Sequence, residues 1–112
     1  MAIVIASGTA TSTAANTKSA DQVSGTYQFI GRGKVTLVAK GSATGMNVQC
    51  LVGGVALAND VPIPYTGTAG SISVNDNIMV SQNTNGGRVE FYLRNTSAGT
   101  LTTDYLLLFD PQ

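Results

Sequence analysis

Gly86-Gly87-Arg88-Val89-Glu90-Phe91-Tyr92-Leu93-Arg94-Asn95 is the stretch whose reading decides the fold class. From Arg88 onward Val89, Phe91 and Leu93 point one way, and Arg88, Glu90, Tyr92 and Arg94 the other. Successive side chains of a strand leave opposite faces, so this is the pattern of a half-buried β-strand with its apolar row on a core. Asn85-Gly86 just before it suits positive φ and predicts that the strand leaves a hairpin.

The same grammar recurs on both sides. Val23 to Ile30 reads as a strand with Val23, Tyr27 and Phe29 on one parity, closed by the turn Gly31-Arg32-Gly33. Lys34 to Lys40 follows, with Val35, Leu37 and Ala39 inward and Lys34, Thr36 and Lys40 outward. After the loop 41–45 comes Met46 to Val52, with Val48, Cys50 and Val52 sharing a parity. Gly53-Gly54 then permits a tight reversal into Val55-Ala56-Leu57. Asn59 to Gly67 breaks the rhythm with Pro62 and Pro64, which remove backbone donors, and is the expected crossover between sheets. Ser71–Val74, a turn at Asn75-Asp76-Asn77, and Ile78–Gln82 lead back to the opening strand. Asn95 to Gly99 reverses the chain into Thr100–Phe109, where Tyr105, Leu107 and Phe109 lie on one parity and Leu106 and Leu108 on the other. Both faces of that strand are apolar, so it is either central or covered on one side by another subunit.

Roughly eight or nine short strands with regular turn signals predict an all-β, two-sheet antiparallel β-sandwich. A jelly roll and a mixed Greek-key or meander arrangement both remain open, because turn chemistry does not fix strand order. The first 20 residues stand apart. Ser7 to Thr17 is small, uncharged and rich in Ser, Thr and Ala. The reading is an extended N-terminal arm over 1–20, pairing from Ile3-Val4-Ile5 with a sheet edge of its own or a neighbour's, and a single sandwich domain over 21–112. A loose terminus is the alternative.

Composition narrows the function. Charged residues are 11% of the 112, and Lys plus Arg equal Asp plus Glu at 6 each. A surface so poor in charge suits one covered by partners, and zero net charge argues against direct nucleic-acid binding. No apolar run approaches the ~20 residues of a membrane span. Met1 to Ala6 lacks a basic region and is shorter than a signal peptide's hydrophobic core, so neither a membrane partner nor a Sec-type export signal is expected and the chain reads as an intact cytoplasmic product.

The reactive inventory is thin. With no His and one Cys the chain has no Ser-His-Asp or Cys-His pair, no imidazole ligand and no zinc knuckle. Neither catalytic residues nor cofactors are expected. Cys50 is read as a buried apolar thiol. Glu90 and Asp104 are read as surface carboxylates near Arg88 and Arg94 rather than a hydrolytic pair. Asn75-Asp76-Asn77 and Asn59-Asp60 could offer oxygen to calcium but are the usual residues of turns. Gly31-Arg32-Gly33 lacks the helix of a phosphate loop, and Arg32, Lys34 and Lys40 read as solvated surface. Asn95-Thr96-Ser97 matches a glycosylation sequon and is read as a turn. Tyr65 and Tyr92 are the exposed aromatics, suited either to a sugar platform or to an interface.

The uncharged arm at 7–17, the Gly/Asn-rich turns, the absence of His and Trp, and the terminal run Tyr105-Leu106-Leu107-Leu108-Phe109-Asp110-Pro111 together resemble small viral structural proteins. The resemblance is to bacteriophage β-sandwich or jelly-roll coat and decoration (cement) proteins. It implies a non-enzymatic capsid or capsid-decorating protein in the virion, a homo-oligomer that also meets other capsid subunits. Lys18 stands alone where a genome-facing arm would be basic, which favours an outer position. The interface candidates are Ile3, Val4, Ile5, Tyr65, Tyr92, Leu106 and Leu108. The alternative is a carbohydrate-binding or host-adhesion sandwich.

Overall fold

The computed structural model describes residues 3–23, 28–41, 45–63 and 78–112. Nine strands are found there: β1 (Ile3–Thr13), β2 (Thr17–Lys18), β3 (Phe29–Ile30), β4 (Gly33–Gly41), β5 (Met46–Val52), β6 (Val55–Pro62), β7 (Ile78–Thr84), β8 (Gly87–Asn95) and β9 (Leu101–Pro111). They form two antiparallel sheets. The first has the order β1-β9-β4-β7, the second β2-β8-β5-β6, with β3 also paired to β8.

The apolar parities read from the sequence meet between the sheets. Val35, Leu37 and Ala39 of β4 and Tyr105, Leu107 and Phe109 of β9 come from the first sheet. Val48, Cys50 and Val52 of β5 and Val89, Phe91 and Leu93 of β8 come from the second. Phe91 and Tyr105 touch edge to face, ring centroids 4.9 Å apart at 63°. This contact joins the sheets in the favoured quadrupolar geometry.

Only β5–β6 is a hairpin within one sheet among the described connections. Gly53 and Gly54 turn it with φ of 60° and 81°, the two positive values a tight two-residue reversal demands. The hairpin expected at Asn85-Gly86 is not one. β7 pairs with β4 in the first sheet, while β8 pairs with β5 in the second. Gly86 and Gly87, at φ 93° and 129°, carry the chain from one sheet to the other. A Cβ on Gly87 would lie 2.6 Å from the Gly53 Cα, so only glycine lets these two backbones touch. The crossover expected after Asn59 begins later than read: β6 continues through Asn59 and Asp60 to Pro62. A proline is tolerated there because β6 is an edge.

Residues 3–13 lie on the open edge of β9 in register Ile3↔Phe109 through Thr13↔Leu101, with two register shifts, and Ile5 enters the core. The stretch that follows closes the outer edge of β8. Ser19 and Gln22 donate backbone N–H groups to the carbonyls of Leu93 (2.7 Å) and Phe91 (2.8 Å). In return Leu93 N–H donates to Ser19 Oγ and Phe91 N–H to Asp21 Oδ1. Side-chain oxygens thus stand in for the carbonyls of a regular ladder. Val23 is buried, but Phe29, read on its parity, is 67% exposed while Ile30 packs on the core. Ser71–Val74, Asn75-Asp76-Asn77, Tyr27 and Tyr65 lie outside the described residues.

Candidate functional site

The outward face of the second sheet is polar. In the β5–β8 ladder Gln49 faces Tyr92 and Asn47 faces Arg94. In the β5–β6 ladder Val48 pairs with Val61 and Cys50 with Ala58, so Gln49 faces both Asn59 and Asp60. This is a β-bulge, and Asp60 takes φ 58° within it, a left-handed conformation that Asp tolerates better than most residues. The bulge aims Asp60 across β5 at β8. Arg94 Nη1 donates to Asp60 Oδ2 at 2.8 Å, and Asn47 Nδ2 to Oδ1 at 3.3 Å. Beside them Gln49 Nε2 donates to Asn59 Oδ1 at 3.3 Å.

Tyr92, one of the expected interface residues, stands at the centre of this face. Its hydroxyl donates to Glu90 Oε1 at 2.7 Å, and that bond holds the phenol pKa above its usual value. Lys18 Nζ sits 4.2 Å from the ring centroid, a cation–π contact. The ring is therefore already stacked, not a bare platform. Lys18, Gln49, Asn59, Asp60, Tyr92 and Arg94 enclose a shallow depression of about 140 Å³. Of these six, Tyr92 is the residue the sequence marks as a site, and Asn59-Asp60 has the composition of a turn. The signal available is an Asn-Asp pair interrupting an alternating run, which marks a bulge as readily as a turn.

The outward face of the first sheet is different. Val4 faces Leu108, and Leu106 faces Val38, which faces Ile78. Val4 is 50% and Ile78 55% exposed, Leu106 and Leu108 are half-buried, and Val38 at the centre of the strip is fully buried. β9 is a central strand, flanked by β1 and β4. Lys34 lies opposite Asp110 and Lys40 opposite Asp104 at the two ends of the strip. Lys40, expected on solvated surface, is only 7% exposed. Of the N-terminal candidates, Ile5 is core, Ile3 packs on the core from the edge, and Val4 alone is open.

Glu90 and Asp104 are on outward parities of different sheets, and Glu90 takes the Tyr92 hydroxyl rather than an arginine. The sequon Asn95 is 1% exposed: its Nδ2 donates to the carbonyls of Thr13 and Gly99, and its Oδ1 accepts from Ser97 N–H and Oγ. It is a turn-forming residue with no accessible amide. Cys50 is fully buried, and burial, with Asp21 adding to it, pushes its thiol pKa up to about 12. A thiol so protonated is inert as nucleophile or metal ligand. Among the described residues no three His, Cys, Asp or Glu side chains group as metal ligands. Set against known proteins, the chain matches no family model, no curated protein and no solved structure.

Proposed function

We propose that this chain is a non-enzymatic virion structural protein, a coat or capsid-decorating subunit that self-assembles with copies of itself and with other capsid subunits. The observation that carries this reading is the outside of the first sheet. Its face bears the strip Val4, Leu106, Leu108 and Ile78, and its two edge strands, β1 and β7, contain neither a charged residue nor a proline. Proteins that stay monomeric commonly blunt their edges with such residues. A bare edge beside an apolar strip offers both backbone pairing and apolar burial to a neighbouring subunit. In this reading β1 serves as the N-terminal assembly arm.

The strand orders β1-β9-β4-β7 and β2-β8-β5-β6, with the chain changing sheet at most connections, support a jelly-roll connectivity. That architecture serves viral capsid and lectin domains alike. Fold does not choose between them; the apolar strip and the uncharged edge strands described for the first sheet favour assembly.

The test is the oligomeric state by analytical ultracentrifugation, with negative-stain microscopy of what forms. Wild type is expected to assemble, and Val4→Lys, a charge on the exposed edge, to remain monomeric with its melting temperature little changed. A wild-type chain that stays monomeric at every concentration overturns the reading.

A further inference from the structure

We infer that the depression on the outward face of the second sheet binds a sugar residue bearing a carboxylate, of the uronic-acid type. The inference starts from charge. Lys18 lies directly opposite Arg94 in the β2–β8 ladder, and like charges in facing positions of an antiparallel pair repel. Asp60 answers Arg94 alone. Lys18 has no ion-pair partner among the described residues and rests on the Tyr92 ring. Two cations and one carboxylate thus line the depression itself, with Glu90 outside it on the Tyr92 hydroxyl, so a ligand anion there meets Lys18 and the free side of Arg94. Arg94 spends one nitrogen on Asp60, and a guanidinium has five N–H donors in all, so it can bind the same anion from its other side.

The neutral groups indicate what the anion is attached to. Because Gln49 Nε2 donates to Asn59 Oδ1, the Gln49 carbonyl oxygen and the Asn59 amide N–H groups remain as a neighbouring acceptor and donor. That pair matches vicinal hydroxyls, each of which donates and accepts. At about 140 Å³ the depression is well below the ~300–1,000 Å³ of drug-sized pockets and takes one ring-sized group. It lacks the several cations that a phosphate backbone requires. The bulge at Asp60 is what builds it, by bringing β6 side chains over β5 to the two cations on the far side.

The test titrates the full-length chain with sodium glucuronate, following the side-chain amide signals of Gln49 and Asn59 by NMR, with glucose and acetate as the matched neutral sugar and bare anion. Glucuronate should shift both amides and saturate in the millimolar range, with glucose and acetate each about tenfold or more weaker, the weight of one charge-assisted hydrogen bond. Lys18→Gln should weaken glucuronate by about the same factor without moving the melting temperature, and Lys34→Gln, on the other sheet, should leave it unchanged. Equal binding of acetate, equal binding of glucose, no shift with glucuronate, or an unaffected Lys18→Gln each overturns the inference. None of the lining residues is on the first sheet, so failure here leaves the assembly reading standing.

Discussion

The two sheets share one core and present opposite exteriors. Outside the second sheet, Lys18 with Tyr92 and Glu90, Arg94 with Asp60, and Gln49 with Asn59 form a polar array. One edge of that sheet is closed by β2, by Ser19, Asp21 and Gln22, and by β3, and the other, β6, carries Asp60, a bulge and Pro62. Outside the first sheet lie Val4, Leu106, Leu108 and Ile78, between edges without charge or proline. Core burial alone would tolerate either exterior on either sheet. The difference teaches that one set of strands can carry two kinds of surface: the inward rows build the sandwich, while the outward apolar strip is on the first sheet and the second sheet exposes Phe29 and Val55 beside its polar groups.

The largest effect should come from the contact the sheets share. Phe91→Ala removes the ring that meets Tyr105 and is expected to cost about 3–5 kcal/mol, a large part of a domain's usual ~5–15 kcal/mol. Chemical denaturation would show a single transition at lower midpoint. Two separate transitions, one per sheet, would break the description of the sheets as one cooperative body.

Asn95→Ala should come next, at about 1–3 kcal/mol. It strips partners from the buried carbonyl of Thr13 and from the β8–β9 turn, where the two sheets are tied at one end. Thermal unfolding measures it. A neutral result would show that the tie is dispensable and the core alone aligns the sheets.

Alkaline pH probes the second sheet's side of the core. The Cys50 thiol ionises near 12 in the fold and near 8.5 when unfolded, so between those values the unfolded chain loses a proton that the folded chain keeps. The associated stability is complete below about 8.5 and is lost as pH rises toward the folded value, at most about 1.4 kcal/mol per pH unit. Cys50→Ala should flatten that part of the pH profile. In the native state below that window, thiol reagents should modify Cys50 only as fast as the chain unfolds.

The smallest effects belong to the second sheet's exterior. Asp60→Asn keeps a residue tolerant of the left-handed conformation and removes only an exposed ion pair, worth about 0.2–1 kcal/mol. Asp60→Ala should cost more, by about 1 kcal/mol or slightly above, because it adds backbone strain. Tyr92→Ala should move the melting temperature by a similarly small amount, since only a cation–π contact of roughly 0.5–1 kcal/mol and one hydroxyl bond at the surface are lost. It should also leave assembly unchanged if association belongs to the first sheet. Weakened assembly in Tyr92→Ala would reverse the division of labour between the two exteriors.

By itself the sequence determined the inward rows of β4, β5, β8 and β9, though it put Phe29 inward where the fold exposes it. Alternation is a local property, and Val89-Phe91-Leu93, Val35-Leu37-Ala39 and Val48-Cys50-Val52 are all buried as their spacing requires. It also determined that Gly53-Gly54 turns back on itself, because positive φ at adjacent residues is a glycine property. Only the tertiary structure decided which strands are neighbours. Asn85-Gly86 and Asn95–Gly99 look like hairpin turns, yet each passes the chain to the opposite sheet, since a turn residue fixes a local bend and not the partner that receives the next strand's hydrogen bonds. The polar cluster was hidden for the same reason: Lys18, Gln49, Asp60 and Arg94 are far apart along the chain and come together through strand order and one bulge, neither of which any local pattern encodes.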